Sequence, residues 1–430
     1  MDRKLKVLII TSMPWREDNN IGNSYSNIFS GMKDKIEFAH IYCRNGMPQN
    51  SFCHKYFQIK ESELFKNIKN RKYKPGKMFY LKNPQETELQ SFSSIYNKLR
   101  ILRWEIFFLA RNILWGVADW KNKKLDEFVE EFNPDVIFGT LTYMPNINKM
   151  MIYLKKKFNI PLVTYAWDDV YSMKQKSFSP FFWIRRITQR KHIRRCVNEC
   201  DYLYTITDMM QKEYTNYFKK ECKLLYKGYD FNGDLDFKNN LSKPIKLVFM
   251  GNIGAGRWKS LAKLVSALKN INEKESLAKL FIYTLSPKSA KMEARLNVNG
   301  TSKIMDVIPN DEVPSVLKSA DVLVHVEPTN TKDRLFYRLS FSTKLVDYFY
   351  AGRCILGIGG FTASLDYLKR QDAGIVIKDI KNLEEELKEL LCNHEKILLY
   401  SKKAWNCGKR NHQINEIQKR LYNDLLSLRS

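Results

Sequence analysis

The sequence predicts an α/β protein built from two Rossmann-like domains that face each other across a cleft. Three observations carry that expectation. Apolar runs of strand length alternate with longer amphipathic stretches, the pattern of a parallel sheet covered by helices. The alternation stops at residues 231–244 (FNGDLDFKNNLSKP), a polar, turn-rich linker, and then restarts. The chain has 430 residues, room for two or three domains at roughly 100–200 residues each. The expected division is 1–230 for the first domain and 245–395 for the second, with helices in 396–430 packing back on the first.

In the first half, the runs Lys6–Thr11, Ile36–Tyr42, Asp135–Gly139, Pro161–Tyr165 and Tyr202–Ile206 read as strands, with Cys222–Tyr226 as a further candidate. Asn146–Lys157 and Met209–Phe218 have helical spacing. After the linker, strands are expected at Ile245–Met250, Leu280–Thr284, Ile304–Val307, Val322–Val326, Cys354–Ile358 and Ala373–Ile377. Helices fit Leu261–Asn270, Val313–Lys318, Thr343–Ala351 and Leu383–Cys392. In open parallel sheets ligands sit at the carboxyl ends of strands, so the loops after these runs are where chemistry belongs.

Composition narrows the classes. Hydrophobic residues make up 44% and charged residues 27%, which excludes a disordered or collagen-like chain. Lys and Arg number 72 against 46 Asp and Glu, a net charge of +26. Such an excess points to an anionic partner: nucleic acid, acidic lipid or a phosphorylated substrate. Against nucleic acid, the cations are spread along the chain and form no recognised module. The eight Cys show no framework spacing, as expected of free thiols in a reducing compartment. The apolar run Val7–Ile10 is too short for a signal peptide, and no run of about eighteen apolar residues predicts a membrane span. A cytoplasmic protein is expected. Ile95–Lys124 and Phe178–Val197 join aromatic residues to many cations, the composition of helices that lie on a membrane or pack their apolar faces inward.

Two stretches could hold an anion. Gly251–Leu261 (GNIGAGRWKSL) follows an apolar run and precedes a helical pattern. Glycines there let backbone N–H groups approach an anion, and Arg257 and Lys259 add positive charge. The spacing is neither GxGxxG nor a Walker loop, and a surface turn with solvated cations is the alternative. Ser340–Gly352 (SFSTKLVDYFYAG) places Ser342, Thr343 and Lys344 at a helix N-terminus, with Ser340 or Ser342 as cap and Asp347 one turn on. A carboxylate there can accept from a ribose diol; an ordinary capped helix is the alternative. His192, Cys196 and Cys200 fall at four-residue spacing, but zinc wants a fourth ligand and helix packing explains them as well. His325, in an apolar run, reads as core.

The ordered set KVLIITSMP, EFNPDVIF, IPLVTYAWDD, CDYLYTIT, LLYKGYD, KLVFMGNIGAGRWKSL, IPNDEVPSVLKSADVLVHVE and STKLVDYFYAGRCILGIGG spans nearly the whole chain. It resembles the glycosyltransferase group 1 family, retaining enzymes of GT-B fold, in the branch that builds bacterial capsule, O-antigen and exopolysaccharide. The resemblance implies an acceptor-binding first domain and a nucleotide-sugar-binding second domain. It implies that Arg257 and Lys259 grip the donor diphosphate; Gly251 and Asn252, in the turn just before them, are the expected substrate contacts read from the glycine turn itself. It puts Asp347 at the place of the Glu that binds ribose. The family's other Glu falls on Leu339, and Glu327 is the nearby substitute. The family's His-Asp falls on Trp167 and Asp168, so Asp168 or Asp169 is left for acceptor binding or proton removal; the pair could instead cap the next helix. Gly22 and Asn23, in NNIGNS, match a Gly-rich loop over the donor phosphates.

The activity so implied is hexosyl transfer from a nucleoside-diphosphate sugar with retention, without a cofactor or bound metal. The implied acceptor is a lipid-linked saccharide at the inner face of the cell membrane, whose anionic surface would attract a basic protein. A GT-B sugar-nucleotide epimerase and a catalytically incompetent, membrane-associated partner subunit are the alternatives.

Overall fold

The computed structural model describes residues 3–18, 20–81, 105–235 and 238–429. It divides into two compact units, Met1–Tyr226 with Asn415–Ser430, and Lys227–Ile414.

The first unit holds strands β1 (Leu5–Ile10), β2 (Ile36–Tyr42), β3 (Cys53–Gln58), β4 (Lys77–Tyr80), β5 (Val136–Thr140), β6 (Leu162–Ala166), β7 (Tyr202–Thr205) and β8 (Cys222–Leu224). They form one sheet in the order β4-β3-β2-β1-β5-β6-β7-β8. Every pairing is parallel except β3 with the edge strand β4. The central strands β5 and β6 are buried at every position because helices cover both faces, which is why they read as unbroken apolar runs. The helices are α1 (Asn20–Phe29), α2 (Glu61–Lys69), α3 (Glu105–Val117), α4 (Lys123–Phe132), α5 (Pro145–Phe158), α6 (Pro180–Glu199) and α7 (Asp208–Phe218). Helices α4 and α5 end on Asn133 and Asn159, both with left-handed φ, a conformation Asn tolerates well.

The second unit holds β9 (Ile245–Met250), β10 (Ala278–Tyr283), β11 (Ser302–Ile304), β12 (Val322–Val326), β13 (Cys354–Ile358) and β14 (Ile375–Ile377). Their order is β11-β10-β9-β12-β13-β14, parallel throughout. Its helices are α8 (Arg257–Ile271), α9 (Ala290–Leu296), α10 (Val313–Ser319), α11 (Thr331–Phe336), α12 (Lys344–Ala351), α13 (Ala363–Arg370), α14 (Leu383–Cys392) and α15 (His394–Asn411). Leu247, Phe249, Leu264, Leu268, Ile282, Val324 and Leu356 fill its core. A last helix, α16 (Ile414–Leu426), groups with the first unit. There Lys223 Nζ meets Asp424 at 2.6 Å and Gln418 donates to the Asn27 carbonyl at 3.0 Å.

In each sheet the strand order reverses once among the parallel strands, between β1 and β5 and between β9 and β12. That is the doubly wound arrangement, whose switch points bind ligands.

Several expectations need correction. Strands β3 and β4 were not foreseen: β3 mixes Lys55 and Gln58 into its run, and β4 is a four-residue edge strand. The division differs too. Helix α15 packs against α12 and β13 in the second unit, so the return to the first unit begins near Asn415 rather than at 396. Gly22 and Asn23 of the stretch NNIGNS lie in the first turn of α1 rather than in a loop. Most of Phe178–Val197 lies in α6, which starts at Pro180, but the apolar and basic residues of that helix do not occupy opposite faces. Arg186, Gln189, Ile193 and Cys196 make its inner face. Of Ile95–Lys124, residues 95–104 lie outside the described residues. No helix among the described residues is long and apolar enough to cross a membrane.

Candidate functional site

The switch point of the second sheet gathers charged side chains from four separate stretches of chain. The turn after β9 leads straight into α8, with Gly256 as N-cap at φ +80°. A Cβ at Gly256 would also lie 2.5 Å from Asn330 Nδ2, so glycine is required there on both counts. Helix α8 therefore starts four residues earlier than its apolar pattern suggested, and Arg257 is its first residue.

Arg257 Nη2 donates to Glu327 Oε2 at 3.2 Å. Its guanidinium lies 4.2 Å from the centre of the Tyr337 ring. Glu327 follows β12 and is 2% exposed. His325 Nε2 lies 3.1 Å from its other oxygen, and Ser260 Oγ donates to its carbonyl at 2.7 Å. Burial pushes the Glu327 carboxyl up, but His325 and Arg257 together outweigh burial and hold it below the usual range. A buried carboxylate with both oxygens engaged fixes the direction of Arg257.

Helix α12 is tied to the same edge by Tyr348. Its hydroxyl accepts from the Met250 N–H at 3.1 Å and lies 3.3 Å from the carbonyls of Met250 and Val324. The clamp holds Lys344 beside the end of β9: a Cβ on Gly251 would sit 3.3 Å from Lys344 Nζ. Burial lowers the Lys344 pKa, Asp347 raises it, and Arg257 and Lys227 lower it further; the net direction is down. Asp347 Oδ1 accepts from Lys227 Nζ at 2.8 Å. Arg257, Lys344 and Lys227 thus supply positive charge with one buried and one part-exposed carboxylate between them. Cations held by fixed carboxylates beside a glycine turn can take up a diphosphate, and the Asp347 carboxylate can accept from hydroxyls.

Other predicted residues stand elsewhere. Lys259 is exposed, with Nζ 6.0 Å from the Trp258 ring centre. Residues two apart on a helix do not share a face, so it does not join Arg257. Asn252 Oδ1 accepts from the Gly254 N–H and from Ser286 Oγ, which shapes the turn. Neither Ser340 nor Ser342 caps α12. Thr343 is the N-cap and makes no side-chain cap bond, while the Ser342 N–H donates to Ser364 Oγ at 2.9 Å. Leu339 is fully buried, so the place of a second carboxylate is filled by core.

In the first unit, Asp168 and Asp169 follow β6, and the structure separates their roles. Asp169 is 2% exposed. It accepts from the N–H groups of Tyr171 and Ser172 and from the Ser172 hydroxyl, and lies 3.7 Å from the Arg186 guanidinium. Its oxygens are spent on a turn, which corrects its assignment to catalysis. Asp168 is exposed. Gly22 is a packing glycine, since a Cβ there would lie 1.9 Å from the Arg16 carbonyl oxygen. The Asn23 side chain reaches the Glu17 carbonyl at 3.5 Å.

Sequence reasoning missed Lys227, Tyr337 and Tyr348 and set His325 aside. One signal was readable: His325 and Glu327 are two apart in extended chain and so share a face.

No protein-family model matches the chain, and no curated protein matches its sequence. Solved structures do match. HepE of Anabaena, in complex with UDP and glucose, matches with a TM-score of 0.61 at 12% identity, over 98% of this chain and 100% of that one. WaaG, a glycosyltransferase involved in lipopolysaccharide biosynthesis, matches with a TM-score of 0.55 at 15% identity, over 96% of this chain and 98% of that one. A UDP-forming trehalose-phosphate synthase from Burkholderia vietnamiensis matches with a TM-score of 0.59 at 7% identity, over 99% and 100% of the two chains. At such identities the likeness is one of fold. The chain has the GT-B fold of paired Rossmann-like units, as the resemblance of its motifs implied.

Proposed function

We propose that the protein is a glycosyltransferase that moves a hexosyl group from a nucleoside-diphosphate sugar to a saccharide acceptor, with retention at the anomeric carbon. The observation that supports this most is the meeting of Arg257, Glu327, Lys344 and Asp347 at the switch point of the second sheet. In this reading Arg257 and Lys344 bind the donor diphosphate, and Asp347, steadied by Lys227, accepts from the ribose hydroxyls. Gly251 keeps the backbone low enough for the diphosphate to reach Lys344.

As the bond from the anomeric carbon to the diphosphate oxygen breaks, the electron pair goes to the diphosphate. The acceptor hydroxyl oxygen forms the new bond to the anomeric carbon, and its proton passes to the departing diphosphate oxygen. Pre-placed positive charge on the departing diphosphate lowers the barrier most, because it needs no reorganisation in the transition state. No metal enters this scheme. Asp168, exposed after β6, is the residue proposed to meet the acceptor. The HepE structure contains UDP and glucose, and WaaG acts in lipopolysaccharide biosynthesis. By analogy we assign a nucleotide-sugar donor and a lipid-linked acceptor of bacterial surface polysaccharide, handled at the inner face of the cell membrane.

A second reading, a partner subunit without turnover, is favoured by Leu339, whose burial removes one carboxylate of the resembled motif. Calorimetric titration with UDP, GDP and ADP separates the two. Tight binding of one nucleotide, weakened in Lys344→Ala, supports the donor site and names its base. Absence of binding by all of them overturns the transferase reading.

A further inference from the structure

Residues 229–235 run into the polar linker, yet they are fastened to the second unit. The Tyr229 N–H donates to the His412 carbonyl at 2.9 Å, and the Tyr229 carbonyl accepts from the Ile414 N–H at 2.9 Å. The Phe231 N–H donates to Gln413 Oε1 at 2.8 Å. The Tyr229 ring stacks on Tyr350 at 3.7 Å, and Phe231 stands edge-on to Trp405 at 5.1 Å. Leu235 lies against Gly352, whose φ is +61° and where any Cβ would collide with the Leu235 side chain. Glycine is required there on both counts.

Between this segment, the ends of α10 and α12, and α15 lies a pocket with an interior of about 50 Å³. At roughly 10–15 Å³ for one water, that is room for about four waters. Its walls include Asp230, Asp234, Leu235, Lys318, Tyr350 and Trp405, all of the second unit. Tyr350 lies six residues along α12 from Lys344, about 9 Å at 1.5 Å per residue. The pocket is therefore at the other end of that helix from the diphosphate cations.

Asp230, Asp234 and Lys318 are exposed, and Lys318 Nζ lies 5.7 Å from the centre of the Tyr350 ring. Asp230 accepts from the Asn232 N–H at 3.1 Å, while neither Asp234 nor Lys318 Nζ has an ion pair among the described residues. Trp405 is 8% exposed, and its indole N–H has no hydrogen-bond partner among the described residues. A donor on so buried a ring ordinarily has one.

This mixture of groups selects the ligand. Two carboxylates oppose an anion, and Lys318 offsets their pull on a cation. A neutral molecule with several hydroxyls suits all of them. Its hydroxyls donate to Asp230 and Asp234 and accept from Lys318 and the indole N–H. Tyr350, Trp405 and Leu235 offer apolar surface to C–H groups. A sugar ring has both kinds of surface; the interior takes one edge of it and the open mouth the rest. We propose that this pocket is an accessory carbohydrate site, which holds one neutral sugar residue of a saccharide at the end of α12 remote from the diphosphate cations. The inference does not rest on the transferase reading, since a sugar without a nucleotide fills the pocket in its test.

The test is a nuclear magnetic resonance titration of the full chain, isotope-labelled at tryptophan nitrogen. The Trp405 indole N–H signal, identified by its loss in Trp405→Phe, is followed as methyl glycosides of glucose, galactose, mannose and N-acetylglucosamine are added. At least one of them shifts it saturably. Asp234→Asn weakens that binding about tenfold and Lys318→Gln several-fold, the range of a lost charge-assisted hydrogen bond. Nucleotide titration of Asp234→Asn gives the wild-type result, so failure of this site and failure of the donor site are separate outcomes. Thermal unfolding checks that each variant is folded; if Trp405→Phe is not, saturation transfer to the glycosides in wild type and Asp234→Asn decides. Absence of binding by all four glycosides, or equal affinity in wild type, Asp234→Asn and Lys318→Gln, overturns the proposal. So does a glycoside shift lost in Lys344→Ala, which puts the sugar at the donor site, or a shift produced by tetramethylammonium or inorganic phosphate and by no glycoside, which assigns the pocket to an ion.

Discussion

The switch points of the two sheets have the same strand order and opposite chemistry. In the first unit, the edge after β1 and β5 is packed with rings. Trp15 stands edge-on to Phe38 at 5.6 Å and stacks on Phe52 at 5.5 Å, and Tyr25 packs against Phe138 and Trp167. The Tyr25 hydroxyl bonds Thr140 across the switch point at 2.7 Å. In the second unit, the corresponding edge holds Arg257, Glu327, Lys344 and Asp347. Topology provides the opening in both cases, and the loops decide whether rings or ions fill it.

The strongest way to break that contrast is to delete one anchor from each edge. Trp15→Ala is expected to cost about 3–5 kcal/mol of stability by leaving a cavity among rings, with nucleotide affinity intact. Glu327→Ala is expected to cost about 3 kcal/mol by stranding Arg257 and, with it, to abolish measurable nucleotide binding. Urea unfolding and calorimetry read the two effects. Loss of affinity in Trp15→Ala with no loss in Glu327→Ala would move the donor site to the first unit.

Next in size are the cations. Arg257→Ala is expected to weaken nucleoside-diphosphate binding about 100-fold, and Lys344→Ala about tenfold, the range of a lost charge-assisted hydrogen bond. Lys259→Ala is expected to change it less than about threefold. Equal losses at Lys259 and Lys344 would restore the pairing read from sequence.

Titration gives a smaller signature. The Lys344 pKa is lowered, so its charge is lost as pH rises before an ordinary lysine would deprotonate. Diphosphate affinity should therefore fall at alkaline pH, and Lys344→Arg should flatten that fall because guanidinium stays charged. A flat wild-type profile would detach Lys344 from the diphosphate.

The smallest effect is on acid stability. Burial lowers His40 from 6.5 to about 3 in the first unit and His412 from 6.5 to about 4 in the second. Both stay neutral when folded while the unfolded chain binds a proton, so stability declines as pH falls from about 6.5 towards those values. Glu327, lowered from 4.5, adds stability that is fully present above 4.5 and is lost as pH drops through its folded value. Replacing His40 by Gln should shallow the decline, as measured by unfolding at a series of pH values.

Much of the second sheet was legible because its strands are local apolar runs. Ile245–Met250, Val322–Val326 and Cys354–Ile358 are the same segments in sequence and structure. Burial on both faces leaves no room for polar residues, so a parallel strand marks itself. Strand β4 did not, being exposed along most of its length and paired, among the described residues, to β3 alone. In the site, Arg257, Lys344 and Asp347 were readable from motif order, whereas the partners that orient them were not. Lys227 lies 120 positions from Asp347, and Glu327 lies 70 from Arg257.

The sequence by itself determined the α/β alternation, the break between its two halves and the segments that carry the charged loops. Those properties depend on periodicity and composition within a few turns of chain. Only the tertiary structure decided that Lys344 rather than Lys259 stands with Arg257, that Asp169 holds a turn, and that α15 belongs to the second unit. The first and the last of those outcomes are contacts between distant segments, whereas Asp169 bonds Tyr171 and Ser172 close by and lies 3.7 Å from Arg186 of α6. Strand order sets the first of them by bringing the ends of β9 and β12 together, and a local pattern carries no record of strand order.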